Sequence, residues 1–384
     1  MMRLSNDEEF RRYFTSPEFK QTLHAYEAMQ ESGKPTYFDA DQLTDIAEFY
    51  AARGDHDKAE AAIDHALLLH PGSTDPMVFK ARNLLAHDEI ESAYKLCRTI
   101  PDQKDFEVRL LYAEIHLTKN QPDKADKVLM DYVNTQEEDP DHMCEIMRDC
   151  SEVFSDFKHY EYSLKWGYTL LEHVKTNANK PENILYAEEV ILVALRDLNR
   201  YDEALALSND MLDRDPYYIA AWIIQSEIYI AQKMYNEAIE AADYAIAIDD
   251  TNMGAVVCKA NSFFFLENMT EALKLYRKCI QYEFHPDVCH YMCGLIEASR
   301  RNHMQALNDF LVSYKIVGDT ANFSFELCYN MALNFAAIGR KEEALFFYEQ
   351  AEDIEPGNES LDELMDYINE LPDEEHDIDG PLLT

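Results

Sequence analysis

The sequence predicts an all-α fold in which short helical hairpins repeat along the chain. Three observations predict it. A small residue followed by Leu, Ile or a similar residue recurs every 34 residues, at Ala204, Ala238, Ala272 and Ala306. Only 10 Gly and 13 Pro occur in 384 residues, which argues against an all-β fold with many turns. A hydrophobic content of 47% is enough for a large core.

Nine such small residues, which we call anchors, define nine units between about Ala40 and Asn358. The anchors are Ala59, Ala93, Ala125, Ser163, Ala204, Ala238, Ala272, Ala306 and Ala344. Each anchor is expected on the second helix of a hairpin. In three units a proline follows the anchor by twelve residues, at Pro71, Pro216 and Pro356. Because proline cannot continue a helix, these prolines predict where the second helices end.

A second small residue stands twelve positions before most anchors, on the expected first helix. These residues are Ala47, Ala81, Ala113, Ser226, Ala260, Gly294 and Ala332. Small side chains at both places let the two helices of a hairpin approach closely. The fit is poorer in the fourth unit, where Ser163 and Gly167 replace the expected residues. In the eighth unit Glu297 stands where an aromatic residue is expected.

The spacing resembles the tetratricopeptide repeat, which carries a Trp or Leu, a small residue, an aromatic residue, two alanines and a proline over 34 residues. The sixth unit holds most of this pattern in Trp222, Ser226, Tyr229, Ala238 and Ala245. The resemblance covers over four-fifths of the chain. It implies a right-handed superhelical solenoid of about nine stacked hairpins, since one hairpin cannot bury its apolar faces alone.

Both ends of the repeats carry residues that predict capping helices. Ser16 precedes Pro17, and Gly33 follows the first helix, as at ordinary helix starts and ends. Ser360 and Glu363 have the spacing of a capping box. We therefore expect N-terminal capping helices in residues 1–39, one continuous solenoid in 40–358, a C-terminal capping helix in 359–371 and an acidic disordered tail in 372–384.

The resemblance also implies that the first helices line a concave groove in which a partner binds. In the run Phe263, Phe264 and Phe265, the register assigns the first to the core and the other two to the groove. The expected partner-binding residues are Ile223, Glu227, Val257, Asn261, Phe264, Phe265, Tyr291, Leu295, Tyr329 and Leu333.

Groove places in the early units are acidic instead. They hold Asp41, Glu48, Glu107, Glu114, Glu145 and Glu152, with Arg82 and Arg148 as exceptions. The sequence therefore predicts a protein or peptide partner with basic and apolar segments, held by a non-catalytic scaffold or adaptor. Three alternatives stay open. Adjacent repeats could pack the apolar residues against each other, the surface could take a second copy or the tail, or the convex surface could bind an enzyme as a regulatory subunit.

The charge of the chain restricts the class of partner. Lys and Arg number 34 and Asp and Glu number 74, for a formal charge of −40. Such a surface repels nucleic acid and anionic membranes and attracts basic or neutral proteins. Solubility explains the charge equally well. The N-terminal residues lack the apolar core of a signal peptide, and no stretch approaches the ~18 apolar residues of a membrane span. We expect a cytoplasmic protein whose eight cysteines are buried, reduced thiols.

No arrangement of residues predicts chemistry. Cys289, His290 and Cys293 lie close in sequence, but Cys293 falls at a core place, so we expect no zinc. Asp39 and Asp41 lack the remaining ligands of a calcium loop and are expected to cap a helix. The sequence contains no glycine-rich phosphate loop and no nucleophile elbow. We expect no cofactor, no metal and no catalytic residue.

Some tetratricopeptide proteins grip the C-terminal carboxylate of chaperones with Lys, Asn and Arg on successive first helices. Asn261 matches this pattern. Val257 stands where Lys is expected, however, and Met292 where Asn is expected. We therefore expect no such carboxylate clamp.

Overall fold

Helices make up all the regular secondary structure in the part of the chain that the structure describes. The structure, a computed structural model, describes residues 13–135, 139–177, 180–317 and 324–372. The chain divides into two units, Met1–Pro216 and Tyr217–Thr384. The all-α prediction is confirmed, and none of the described helices is long and apolar enough to cross a membrane.

Over the residues that the structure describes, the first unit consists of one helix followed by five hairpins. Its helices are α1 (Pro17–Ser32), α2 (Ala40–Ala51), α3 (His56–Leu69), α4 (Thr74–Ala86), α5 (Ile90–Cys97), α6 (Phe106–Thr118), α7 (Pro122–Thr135), α8 (Pro140–Asp156), α9 (Tyr160–Asn177), α10 (Pro181–Asp197) and α11 (Tyr201–Arg214). The second helices α3 and α11 end just before Pro71 and Pro216, as predicted.

The second unit consists, within the described residues, of four hairpins followed by one helix. Its helices are α12 (Ile219–Ala231), α13 (Tyr235–Ile248), α14 (Met253–Phe265), α15 (Met269–Gln281), α16 (Pro286–Ser299), α17 (His303–Val317), α18 (Phe325–Ala337), α19 (Lys341–Ile354) and α20 (Glu359–Asn369). Within each unit a second helix contacts the first helix of the next hairpin. First helices also contact one another, as in the pairs α2–α4, α12–α14 and α16–α18.

The anchors lie in the interfaces between helices. All nine are at most 3% exposed. In two hairpins the residue that faces the anchor from the first helix is a serine, and its hydroxyl donates to the carbonyl of the anchor. Ser151 donates to the Ser163 carbonyl at 2.9 Å, and Ser226 donates to the Ala238 carbonyl at 2.8 Å. The fourth hairpin therefore keeps the close approach of its helices although its sequence fits the pattern poorly.

The nine described hairpins share one turn, placed five residues before each anchor. One residue in each turn adopts a left-handed conformation with φ between 53° and 80°. These residues are Gly54, Asp88, Asn120, Lys158, Asn199, Lys233, Glu267, Arg301 and Gly339. The following N–H then bonds the carbonyl five residues earlier, as from Met234 to Tyr229 at 2.8 Å. The turn thus depends on backbone geometry more than on residue type.

Placing glycine at one of these left-handed positions should stabilise the fold. Lys158 is exposed with φ at 61°, a conformation that is unfavourable for residues with a Cβ. We expect Lys158→Gly to raise the free energy of unfolding by about 0.5–1 kcal/mol, measured by urea denaturation. The control Glu172→Gly, on an exposed turn within α9, should lower it by about 1 kcal/mol. A loss in the Lys158 variant would contradict the assigned turn.

The N-terminal helix boundaries agree with the prediction. The Ser16 side chain accepts the N–H of Phe19 at 3.1 Å, and Gly33 ends α1 in the left-handed conformation. Asp39 caps α2 in a reciprocal capping box with Gln42. The predicted capping role of the FDADQL segment is therefore confirmed for Asp39.

The predicted capping box of Ser360 and Glu363 is wrong. Helix α20 begins at Glu359, and the Asn358 side chain caps it by accepting the N–H of Ser360 at 3.0 Å. Gly357, with φ at 77°, turns the chain just before Asn358. The helix therefore starts at Glu359, and Ser360 lies inside it rather than at the cap position. Apart from Pro372, the predicted tail at 372–384 lies outside the described residues.

Candidate partner-binding surface

The ten predicted partner-binding residues all lie on the first helices of the second unit. Helices α12, α14, α16 and α18 carry them, and we call the ten residues together the apolar surface. None of the ten is buried. Phe265 is 51% exposed and Leu333 is 36% exposed, whereas the other eight are half-buried. The direct contacts of α12 with α14 and of α16 with α18 bring these residues together in two neighbouring pairs of helices.

The four helices carry few charges compared with the rest of the chain. Of their 53 residues only five are charged, against 28% in the whole sequence. The five are Glu227, Lys259, Asp287, Glu297 and Glu326. In the first unit, the helices α2, α4, α6, α8 and α10 carry 20 charged residues among 72. The predicted contrast between acidic early and apolar late first helices therefore holds for the residues that form these helices.

Several of the ten residues are engaged within the fold, three of them through the following contacts. Asn261 accepts a hydrogen bond from the Tyr276 hydroxyl at 2.6 Å. The Tyr291 ring packs on Phe310 with ring centres 5.8 Å apart. Tyr329 stacks on Phe325 at 5.7 Å, within the same helix. Contacts within the fold therefore cover part of each of these three side chains, which the sequence assigned to the groove.

The three consecutive phenylalanines divide differently from the prediction. Phe263, expected in the core, is only half-buried, and Phe264 is half-buried as well. Both pack against the cluster around Ala260 and Ala272. Phe265 stacks on the Tyr235 ring of the preceding hairpin at 5.2 Å, and half of its surface stays in solvent. Phe263 thus packs on the core side as expected, and Phe264 shares that packing although the register assigned it to the groove.

The turns beside Phe265 expose further apolar side chains that the sequence interpretation missed. Met234 is 38% exposed and Leu266 is 41% exposed. The sequence could have revealed Met234, because the equivalent position in the other eight turns is polar. The residues there are Asp55, Glu89, Gln121, His159, Arg200, Asn268, Asn302 and Arg340.

In the first unit, the acidic residues of the first helices include a buried ion pair. Arg82 on α4 donates to both carboxylate oxygens of Glu114 on α6, at 3.0–3.2 Å, and to Glu107 at 2.9 Å. Glu114 is only 7% exposed. The expectation that Glu114 faces a partner is therefore wrong, because the Arg82 side chain packs over it and holds it between two first helices.

Glu48 on α2 has a different environment. Burial, with the nearby Asp45 carboxylate, raises the pKa of Glu48 to about 7. Arg82 opposes this rise only in part, and Glu107 and Asp75 add to it. The first helices of this unit therefore hold a carboxyl group that gives up its proton near neutral pH and would gain from a cationic neighbour.

The raised pKa of Glu48 predicts a pH-dependent stability. The folded state keeps the proton between about pH 4.5 and 7 while the unfolded state loses it, so stability falls as pH rises through this window. Glu48→Gln should remove this loss and raise the unfolding free energy on the order of 1 kcal/mol at pH 8, with no gain near pH 4. Thermal unfolding across this range measures the difference. The exposed Glu60→Gln should show none, and equal pH dependence of Glu48→Gln and wild type would contradict the assignment.

The cysteines lie where packing predicts them. All eight are buried and unbridged. Cys279, Cys289 and Cys293 belong to one apolar cluster in the second unit. Within the described ranges, no group of three His, Cys, Asp or Glu side chains is placed to hold a metal ion.

Comparison with known proteins relates one part of the chain to a family. No curated protein matches the chain. Among solved structures, the tetratricopeptide-repeat protein YrrB, which has an unusual peptide-binding site, shares 18% identity over 51% of this chain and 96% of its own, with a TM-score of 0.41. A tetratricopeptide repeat protein from Parabacteroides merdae shares 15% over 70% and 99%, with a TM-score of 0.45. The Cut9–Hcn1 hetero-tetramer of the APC/C shares 12% over 86% and 69%, with a TM-score of 0.44.

The described architecture is that of a helical-hairpin repeat protein. Residues 325–358, which form α18, α19 and the segment after them, match the family model of the tetratricopeptide repeat. These residues therefore form a tetratricopeptide repeat, and the resemblance seen in the sequence is confirmed there. The fold is one that serves as a scaffold for protein–protein interaction. The handedness of the superhelix and the exact number of repeats stay predictions.

Proposed function

We propose that this protein is a non-catalytic scaffold whose apolar surface, on α12, α14, α16 and α18, binds an apolar segment of a partner protein. The observation that carries the proposal is the scarcity of charge on these helices in a chain of net charge −40. Together with the exposed rings and aliphatic side chains, this scarcity of charge marks a surface whose desolvation on binding costs little free energy. Exposed apolar clusters on soluble proteins commonly mark interaction sites.

The partner also carries basic residues in this proposal. The first unit offers carboxylates on its first helices, among them Glu48, whose pKa is raised to about 7 by burial and by nearby carboxylates. A Lys or Arg side chain placed beside Glu48 would favour its ionised form, and binding would then release a proton at neutral pH. A polyanionic partner such as nucleic acid would be repelled instead.

Two matched double variants test the apolar surface. Phe265→Ser with Leu333→Ser removes its two most exposed apolar side chains. Val312→Ser with Ile316→Ser removes side chains of 39% and 42% exposure from the second helix α17 of the same unit. Peptides are first selected from a displayed random library on the full chain, and their affinity for each variant is measured by calorimetry.

We expect the first double variant to weaken binding about tenfold or more and the second to leave it unchanged. Thermal unfolding of both variants verifies that they remain folded. Equal affinity of wild type and the Phe265/Leu333 variant would contradict the proposal. Loss of binding in the α17 variant alone would favour the alternative in which the opposite surface binds an enzyme.

A further inference from the structure

The apolar surface ends in an exposed patch at the turns of the first two hairpins of the second unit. The patch consists of Met234, Tyr235, Phe264, Phe265 and Leu266. It is continuous, because Tyr235 stacks on Phe265 at 5.2 Å and Phe265 contacts Phe264 edge to face at 5.8 Å. Met234 and Leu266 extend it along the two turns.

Internal packing does not account for this patch. Phe265, Leu266 and Met234 are 51%, 41% and 38% exposed although Phe265 already stacks on a neighbouring ring. Hairpin turns in the rest of the chain carry a polar residue at the place of Met234. Three large apolar side chains exposed side by side lose the stabilisation that burial would give, and a ligand that covers them would recover it.

The surroundings of the patch restrict what can cover it. Glu237 lies two residues after Tyr235 on α13, Glu267 follows Leu266 in its turn, and Lys233 precedes Met234. With a net charge of −40, a second copy of the chain would be repelled over most of its surface. Five side chains are also far fewer than the roughly 20–30 residues per partner of a stable protein interface. A short segment that combines an apolar residue with basic flanks meets both conditions.

We propose that the patch is the anchoring point of the partner, and that it takes a Leu, Met or aromatic side chain flanked by Lys or Arg. The inference rests on the proposed function and adds a position and a residue class to it. The anchor covers Phe265 and Leu266, and the basic flanks meet Glu237 and Glu267. The half-buried residues of α16 and α18 then contribute less to affinity than this edge does.

The test uses the peptides selected on the full chain and two further variants. Met234→Ser with Leu266→Ser changes only the patch, and Leu333→Ser changes only the apolar surface on α18. We expect enriched peptides to share an apolar residue with basic neighbours. A synthetic peptide of this kind should lose about tenfold or more in affinity for the patch variant, and only a few-fold for Leu333→Ser. Glu237→Gln with Glu267→Gln should lower affinity and reduce its dependence on salt.

The outcomes separate the inference from the proposed function. If the patch variant binds the peptide as wild type does while Leu333→Ser loses tenfold or more in affinity, the anchor is wrong and the binding surface stands. If selected peptides are acidic or lack an apolar residue, the partner class is wrong. If the full chain enriches no peptide, both proposals are contradicted. Unchanged thermal unfolding of each variant excludes misfolding as the cause of lost binding.

Discussion

Arg82→Met is expected to lower the free energy of unfolding by about 3–5 kcal/mol, because it leaves a buried carboxylate without its cation. Arg82 holds Glu114 with two donor groups, and Glu114 is 7% exposed. Methionine keeps the apolar stem but offers no donor. Urea denaturation followed by circular dichroism measures the loss.

Two controls separate the ion pair from general effects of the substitution. Arg98→Met removes an exposed arginine at the end of α5 and should change stability by no more than about 0.5 kcal/mol. Arg82→Met with Glu114→Met should recover most of the loss, since an apolar pair of similar size can replace a buried ion pair. A loss below about 1 kcal/mol in Arg82→Met would show that the pair contributes little.

Gly294→Val is expected to cost about 2–3 kcal/mol, because a Cβ at this position would collide with a buried ring. An added Cβ would lie 2.5–2.9 Å from three atoms of the Phe310 ring on α17. Phe310 is 0% exposed and packs against Tyr291, so it cannot move aside without disturbing the core. Overpacking of this kind typically costs 1–3 kcal/mol, and the loss appears directly in thermal or urea unfolding.

Alanine variants of two helical glycines provide the control. Gly294→Ala should still destabilise, whereas Gly254→Ala on α14 should be neutral or stabilising, because its Cβ would approach no atom closer than 3.3 Å. Phe310→Leu in the Gly294→Ala background should restore part of the stability by removing the colliding ring. A Gly294→Ala protein as stable as wild type would contradict the close contact of α16 and α17.

The sequence predicted the hairpins well because their requirements repeat. An anchor must be small wherever two helices cross, so Ala204 and Ala238 reveal the period, and Gly294 fits the same rule at the closest contact. Ser163 also fits the rule that an anchor is small, because its hydroxyl is hydrogen-bonded to Ser151 on the facing helix. Periodicity identifies such positions because each depends on one contact that recurs in every hairpin.

The candidate site was less predictable because it depends on features that do not repeat. The register placed Glu114 in the groove, but Arg82 from the neighbouring helix covers it. Helical spacing assigned only Phe263 to the core, but Phe264 packs against the same core cluster, and Phe265 at the end of the helix is 51% exposed. The exposure of Met234 follows from a turn that a helical pattern does not describe.

Hydrogen exchange of the full chain with and without a selected peptide tests most directly whether the first helices of the second unit bind the partner. We expect bound peptide to slow amide exchange in α12, α14, α16 and α18, most strongly around Phe264 to Leu266, and to leave α15, α17 and the part of α13 beyond its first turn nearly unchanged. Protection confined to those second helices, in the presence of measured binding, would contradict the proposed surface.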